Sequence, residues 1–344
     1  MKVFNKIFLF FYTRTNFRKY YYLPVILDQI NFRIQSHPVY NSLRGKTDTP
    51  ATEVVVYMCP EELPLRAGLT DRLRGVVSVY RTCKQMNFDF RIFYTSPQLQ
   101  DYLVPNKYDW SIKTGEIDYN WKEIFAGYLI NYHSDLNDVK QIKSQQYFLD
   151  KYCKKLGRKY KQVHIYTNTP AGDSDFHLLF SELFKPSTAL EKALQPNLQS
   201  LGGADKYVSV SFRFRNLFGD FEQDKAKGDL TAEEKDNYLK RAIETITSVH
   251  KLHPEGKVLV AGDSAFFLGY VKDLDFVYVA PGEITHSGFS SNADGIMKTF
   301  VDMFLIANAK VIYQVKDPLL HHSGFPIHAS KIYNKEYKEI RLCP

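Results

Sequence analysis

Two arginines, Arg213 and Arg215, close an alternating segment in which Val208, Val210, Phe212 and Phe214 interleave with Ser209 and Ser211. A strand repeats every two residues, so the pattern predicts a buried strand over 206–215 with both guanidinium groups on one face at its carboxyl end. Ligands of open α/β sheets bind beyond that end. A guanidinium there suits a diphosphate, because its planar fork of donors holds two phosphate oxygens at once. Asp220 and Glu222 follow within loop reach and are the candidate general bases. An edge strand with a solvated arginine pair is the alternative the pattern leaves open.

Two later strand ends carry complementary chemistry. The segment 257–261 is apolar and turns through Gly262, Asp263 and Ser264. The segment 310–313 is followed by His321, His322, Ser323, Gly324, Phe325 and Pro326, a helix start with proline well placed in its first turn. In a parallel sheet such ends share one edge. An arginine for phosphates, a carboxylate for a base or ribose, and a hydroxyl with free amides for a second phosphate would then meet on one nucleotide. Asp302, on an apolar helix over 296–308, is expected as a buried carboxylate bonded to loop amides that shapes the site, with a place on the helix's wet edge as the alternative. His321 and His322 are adjacent, so in a strand they face opposite sides and make a poor metal pair.

The elements that must position these groups alternate along the chain. Val54 to Met58 is a strand, a helix follows from about Thr70, and Phe88 to Tyr94 is a second strand, which makes a βαβ unit. Its loop-to-helix junction, from Gly68 through Arg72 and Arg74 to Gly75, lets backbone amides approach an anion or simply starts a helix. The charged middle, 111–161, reads as helical, with Trp121, Tyr128 and Tyr147 as packing anchors. A strand over 162–167 and helices over 175–184 and from Ser187 to Pro196 complete the first half. Gly202 and Gly203 mark the break. Thr231 and Glu234 form a capping box that opens the helix after Arg213's strand. The expected division is an extension and linker over 1–50, a Rossmann-like acceptor-side domain over 51–200 and a nucleotide-sugar domain over 201–344.

Composition narrows the class without choosing the ligand. The 344 residues are 44% hydrophobic and carry a formal charge of +7, a bias that fits nucleotides, nucleic acid or anionic lipid. The arginines are scattered and no nucleic-acid motif is visible, which argues against a nucleic-acid partner. Cys59, Cys83, Cys153 and Cys343 lie far apart with no paired spacing, so neither a disulfide framework nor a zinc site is suggested. The pairs Asp173/Asp175 and Asp273/Asp275 match the spacing that holds a divalent cation in metal-dependent transferases. The apolar run Ile7 to Phe11 is too short to span a bilayer. Residues 1–22 mix basic and aromatic side chains, suited to an anionic membrane surface or to a helix packed on the body of the protein. A cytoplasmic chain with peripheral membrane contact is expected.

From Glu53 to its carboxyl end the chain resembles the fucosyltransferase-like glycosyltransferases, which include protein O-fucosyltransferases and the core and nodulation α-1,6-fucosyltransferases. The resemblance rests on the junction Gly68 to Gly75, on Ser209 to Arg213, on Val258 to Ser264, and on the helix holding Asp302 followed by Ser323 to Ser330. It implies an α/β, GT-B-like fold with two Rossmann-like domains facing a central cleft. It also implies inverting transfer of fucose from GDP-fucose to a glycan or other hydroxyl acceptor, with no cofactor and no bound metal. By that similarity Arg213 holds the donor pyrophosphate, Asp263 contacts the guanosine part, and Ser323 with Phe325 forms the phosphate-side segment. Gly68, Arg72, Ser264 and Gly324 complete the expected donor-binding set. The chain departs from the family at Ser211, where histidine is frequent, and at Thr70, where a second glycine is expected.

Overall fold

The computed structural model describes residues 22–65, 67–130, 139–170, 174–215, 217–218, 230–284 and 293–343. Its strands are β1 (Val54–Cys59), β2 (Asp89–Tyr94), β3 (Leu103–Pro105), β4 (Ile124–Leu129), β5 (Gln162–Thr167), β6 (Phe184–Pro186), β7 (Val208–Ser211), β8 (Val258–Ala261), β9 (Val277–Tyr278), β10 (Val311–Lys316) and β11 (Glu336–Arg341). The chain divides into two units. One holds the segments up to Leu65, Arg72–Ser96 and from Asp109 into the 160s; the other holds 66–71, Pro97–Tyr108 and Ser174 onward. The glycines that mark the break in the sequence, Gly202 and Gly203, have φ of +83° and +104° in a turn within this second unit.

The first unit is built on a parallel sheet in the order β2-β1-β5-β4. All six residues of β1 and all six of β5 are buried, as strands covered on both faces must be. The helix Leu69–Met86 is strapped to the turn after β5. Arg74 donates from Nε and a terminal nitrogen to the Asn168 carbonyl at 3.0 and 2.7 Å, and Ser78 Oγ donates to the Thr169 carbonyl at 2.6 Å. Gly75 permits this approach, since a Cβ there would sit 2.1 Å from the Thr167 carbonyl oxygen. The helical reading of 111–161 is corrected over its first part: β4 lies there, and the helix is Val139–Cys153. The Ile-Phe-Ala-Gly-Tyr-Leu run of β4 pairs residue for residue with β5, and Gly127 makes room for the ring of Tyr152. Trp121 and Tyr128 are anchors as expected, stacking on Tyr40 and Phe32, whereas Tyr147 is exposed.

The second unit carries five parallel strands in the order β11-β10-β7-β8-β9. The chain starts in the middle at β7, winds outward through β8 and β9, then returns to the other side of β7 with β10 and β11. This is the doubly wound arrangement whose switch point, between β7 and β10, opens a crevice beyond the strand ends. The helix Ala232–Leu252 has its expected box, with Thr231 Oγ1 accepting from the Glu234 amide at 3.3 Å and Glu234 accepting from the Thr231 amide at 2.7 Å. Phe212, Phe214 and Phe267 form an aromatic core with Val210 and Val260 beneath the carboxyl edge. β11 escaped the sequence reading: four of its six residues are exposed, none is buried, and its charges resemble a loop.

Candidate active site

β7 ends at Ser211, earlier than its alternation suggests. The cause is Asp263. Its carboxylate accepts from the Phe214 amide at 2.7 Å and the Arg215 amide at 2.9 Å, and pairs with Arg213 at 2.9 Å. These three donors pull the chain out of the sheet and turn it at Arg215, which has φ +53°. The two arginines therefore do not share a strand face: Arg215 is exposed on the turn, while Arg213 is drawn against Asp263 with its side chain 24% exposed. Burial pushes the Asp263 carboxyl above its usual range, against the pull of the guanidinium and the two amides. The Arg213 carbonyl accepts from the His321 amide at 2.9 Å, which ties the loop after β10 to the loop after β7.

A cavity of about 280 Å³ opens at this edge, wholly within the second unit. Arg213 and Asp263 line it from the ends of β7 and β8, and Ser323, Gly324 and Phe325 line it from the loop after β10 and the start of the helix Phe325–Ile332. Gly68 lines it from the segment 66–71. The three strand ends singled out from the sequence thus meet on one concavity. Ser323 Oγ accepts from the Phe325 amide at 3.3 Å, and the Ser323 carbonyl accepts from Gln314 at 3.1 Å, which fixes the rim.

Not every expected residue arrives there. Ser264 is buried and caps the helix Ala265–Val271, its hydroxyl accepting from the Phe267 amide at 3.1 Å. Arg72 belongs to the first unit, where its guanidinium donates to the Ser96 carbonyl at 2.7 Å and the Tyr94 hydroxyl at 3.1 Å, and it is not among the cavity-lining residues. Asp220 and Glu222 lie outside the described residues, as does Asp173 of the alternative metal pair. Its companion Asp175 precedes the helix Phe176–Leu183. Among the described residues no cluster of three His, Cys, Asp or Glu side chains is placed to hold a metal ion.

Other lining residues stand outside the expected catalytic and donor-binding set. Lys298 and Asp302 line the cavity from the helix Ala293–Ala307, with the ammonium 2.5 and 2.6 Å from the two carboxylate oxygens. Asp302 was expected to bond loop amides; its observed partner is this lysine one turn earlier, and the i,i+4 spacing on an apolar helix was the available signal. Burial raises the Asp302 pKa and Lys298 opposes the rise. Asp71 also lines the cavity, 3.9 Å from His328 Nε2. Ser211 lines it too, and its buried hydroxyl finds no hydrogen-bond partner in the described structure. A buried hydroxyl left so costs about 1–3 kcal/mol.

No protein-family model matches the chain, and no curated protein sequence matches it. Solved structures do. A variant of FUT1 from Arabidopsis thaliana in complex with GDP is 14% identical, with a TM-score of 0.52 over 92% of this chain and 78% of that one. The fucosyltransferase NodZ from Bradyrhizobium is 12% identical, with a TM-score of 0.52 over 81% of this chain and 93% of that one. NodZ α-1,6-fucosyltransferase soaked with GDP-fucose is 13% identical, with a TM-score of 0.50 over 82% and 92%. The fold is therefore the α/β, GT-B-like fold of this group of fucosyltransferases.

Proposed function

We propose that the chain is a glycosyltransferase that moves fucose from GDP-fucose to a hydroxyl group of a glycan or other glycoconjugate. The observation that carries this reading is the half-buried Arg213, held by Asp263 at the switch-point cavity of a fold shared with one fucosyltransferase in complex with GDP and another soaked with GDP-fucose. One guanidinium nitrogen pairs with Asp263, and the group's other donors are available to a diphosphate. Ser323, Gly324 and Phe325 then form the phosphate-side rim, and Gly68 completes the wall.

Transfer is a single displacement with inversion. The acceptor oxygen bonds to the anomeric carbon as the bond from that carbon to the β-phosphate oxygen breaks, and GDP departs with the electron pair. Charge grows on the diphosphate in the transition state, so a guanidinium fixed beforehand lowers the barrier more than it tightens the ground state. That positive charge lets the reaction proceed without a divalent cation. The acceptor proton goes to a carboxylate, and Asp220 and Glu222 are the candidates because both follow Arg213's strand. A thermal-shift panel of GDP, GDP-fucose, GDP-mannose and UDP-sugars, with and without a chelator, tests the reading. Stabilisation by GDP and GDP-fucose that survives chelation is expected. Stabilisation by UDP-sugars alone, or only with added cation, would overturn it.

A further inference from the structure

Among the described residues three carboxylates line the cavity: Asp71, Asp263 and Asp302. A general base must meet the acceptor hydroxyl at hydrogen-bond distance, so access separates them. The Asp263 side chain is 6% exposed and already holds Arg213 and two backbone amides. Both oxygens of Asp302 lie on the Lys298 ammonium, and its side chain is 24% exposed. Asp71, in the first turn of the helix Leu69–Met86, is 37% exposed. Its carboxylate faces His328 Nε2 at 3.9 Å, beyond hydrogen-bond length, with the imidazole buried on the helix Phe325–Ile332.

Two glycines leave room beside that carboxylate. A Cβ at Gly68 would sit 3.4 Å from Asp71 Oδ2, and a Cβ at Gly324 would sit 3.9 Å from Oδ1. A side chain at either position would pack against the oxygens, whereas glycine lets a reactant approach them. Gly324 also belongs to the phosphate-side rim with Ser323 and Phe325. In a nucleotide-sugar donor the anomeric carbon is one oxygen away from the β-phosphate, so a carboxylate beside that rim stands near the atom under attack. Its negative charge also favours the positive charge that grows on the sugar ring as the bond breaks. Asp220 and Glu222 are linked to Arg213 by sequence alone, while Asp71 is in the cavity itself.

We propose that Asp71 is the general base of the transfer, an assignment that rests on the GDP-fucose reading and deepens it. Asp71 takes the proton of the acceptor hydroxyl as that oxygen bonds to the anomeric carbon; the bond to the β-phosphate oxygen breaks, and its electron pair leaves on GDP. The test is GDP release from GDP-fucose by the full chain with water as acceptor, with and without sodium azide, an anion that attacks without giving up a proton. Asp71→Asn is expected to lower release about a hundredfold or more and to leave stabilisation by GDP unchanged. Azide should restore most of the loss and yield a fucosyl azide of inverted configuration. Asp71→Ser, read in the same way, serves where Asp71→Asn does not fold. Release within a few-fold of wild type in the variant, or a loss that azide does not restore, would overturn the assignment. So would azide rescue found in Asp220→Asn or Glu222→Gln in place of Asp71→Asn. A wild-type chain that releases no GDP from GDP-fucose would overturn the transfer reading, and the role of Asp71 with it.

Discussion

One guanidinium nitrogen of Arg213 is committed to Asp263 at 2.9 Å, and its remaining donors set what the cavity can hold. Lysine at this position keeps a positive charge but loses the fork that grips two oxygens. Arg213→Lys is therefore expected to lower kcat/KM for GDP-fucose by about a hundredfold or more, measured by GDP release. Ser211 offers a subtler test. Ser211→Ala removes a buried hydroxyl that has no partner in the described structure, so the unliganded protein should keep its stability or gain about 1 kcal/mol by denaturant titration. GDP affinity should fall a few-fold in the same variant if that hydroxyl meets the nucleotide.

At the scale of elements, the helix Leu69–Met86 depends on a single missing side chain. Gly75→Ala would place a methyl 2.1 Å from the Thr167 carbonyl, a backbone atom that cannot step aside, and is expected to cost about 2–3 kcal/mol of stability. β5 carries a second liability. His164 is fully buried, bonded to the Tyr40 hydroxyl at 2.8 Å and to Gln162 Oε1 at 2.9 Å, and burial lowers its pKa from 6.5 to about 3. The unfolded chain then binds a proton that the folded one refuses between those values. Stability falls as pH drops from 6.5 toward 3, by up to about 1.4 kcal/mol per pH unit from this group. Acid titration followed by circular dichroism should show that slope, and His164→Gln should flatten it.

The same elements show what was legible in advance. The alternation of β7, the buried run of β8 and the proline at the start of the helix Phe325–Ile332 carry local signals, and they bring Arg213, Asp263 and Ser323 to one cavity. Arg215 could not be placed that way, because its turn is made by a carboxylate 48 residues away in sequence. Arg72 looked free for a ligand for a similar reason: its partners, Ser96 and Tyr94, lie beyond the next strand's start. β4 was taken for helix because its apolar run is short and sits among charges, and only pairing with β5 settles it.

Across the whole molecule, charge and chemistry are segregated. The basic excess lies in residues 1–46, and the cavity with its Arg213–Asp263 and Lys298–Asp302 pairs lies in the second unit. The central claim is that GDP enters the second unit's cavity with its diphosphate on Arg213. A crystal structure of the chain with GDP tests it most directly. The account predicts diphosphate oxygens within hydrogen-bond distance of the Arg213 guanidinium and beside Ser323 and Gly324; GDP bound elsewhere, or a diphosphate with no contact to Arg213, would contradict it.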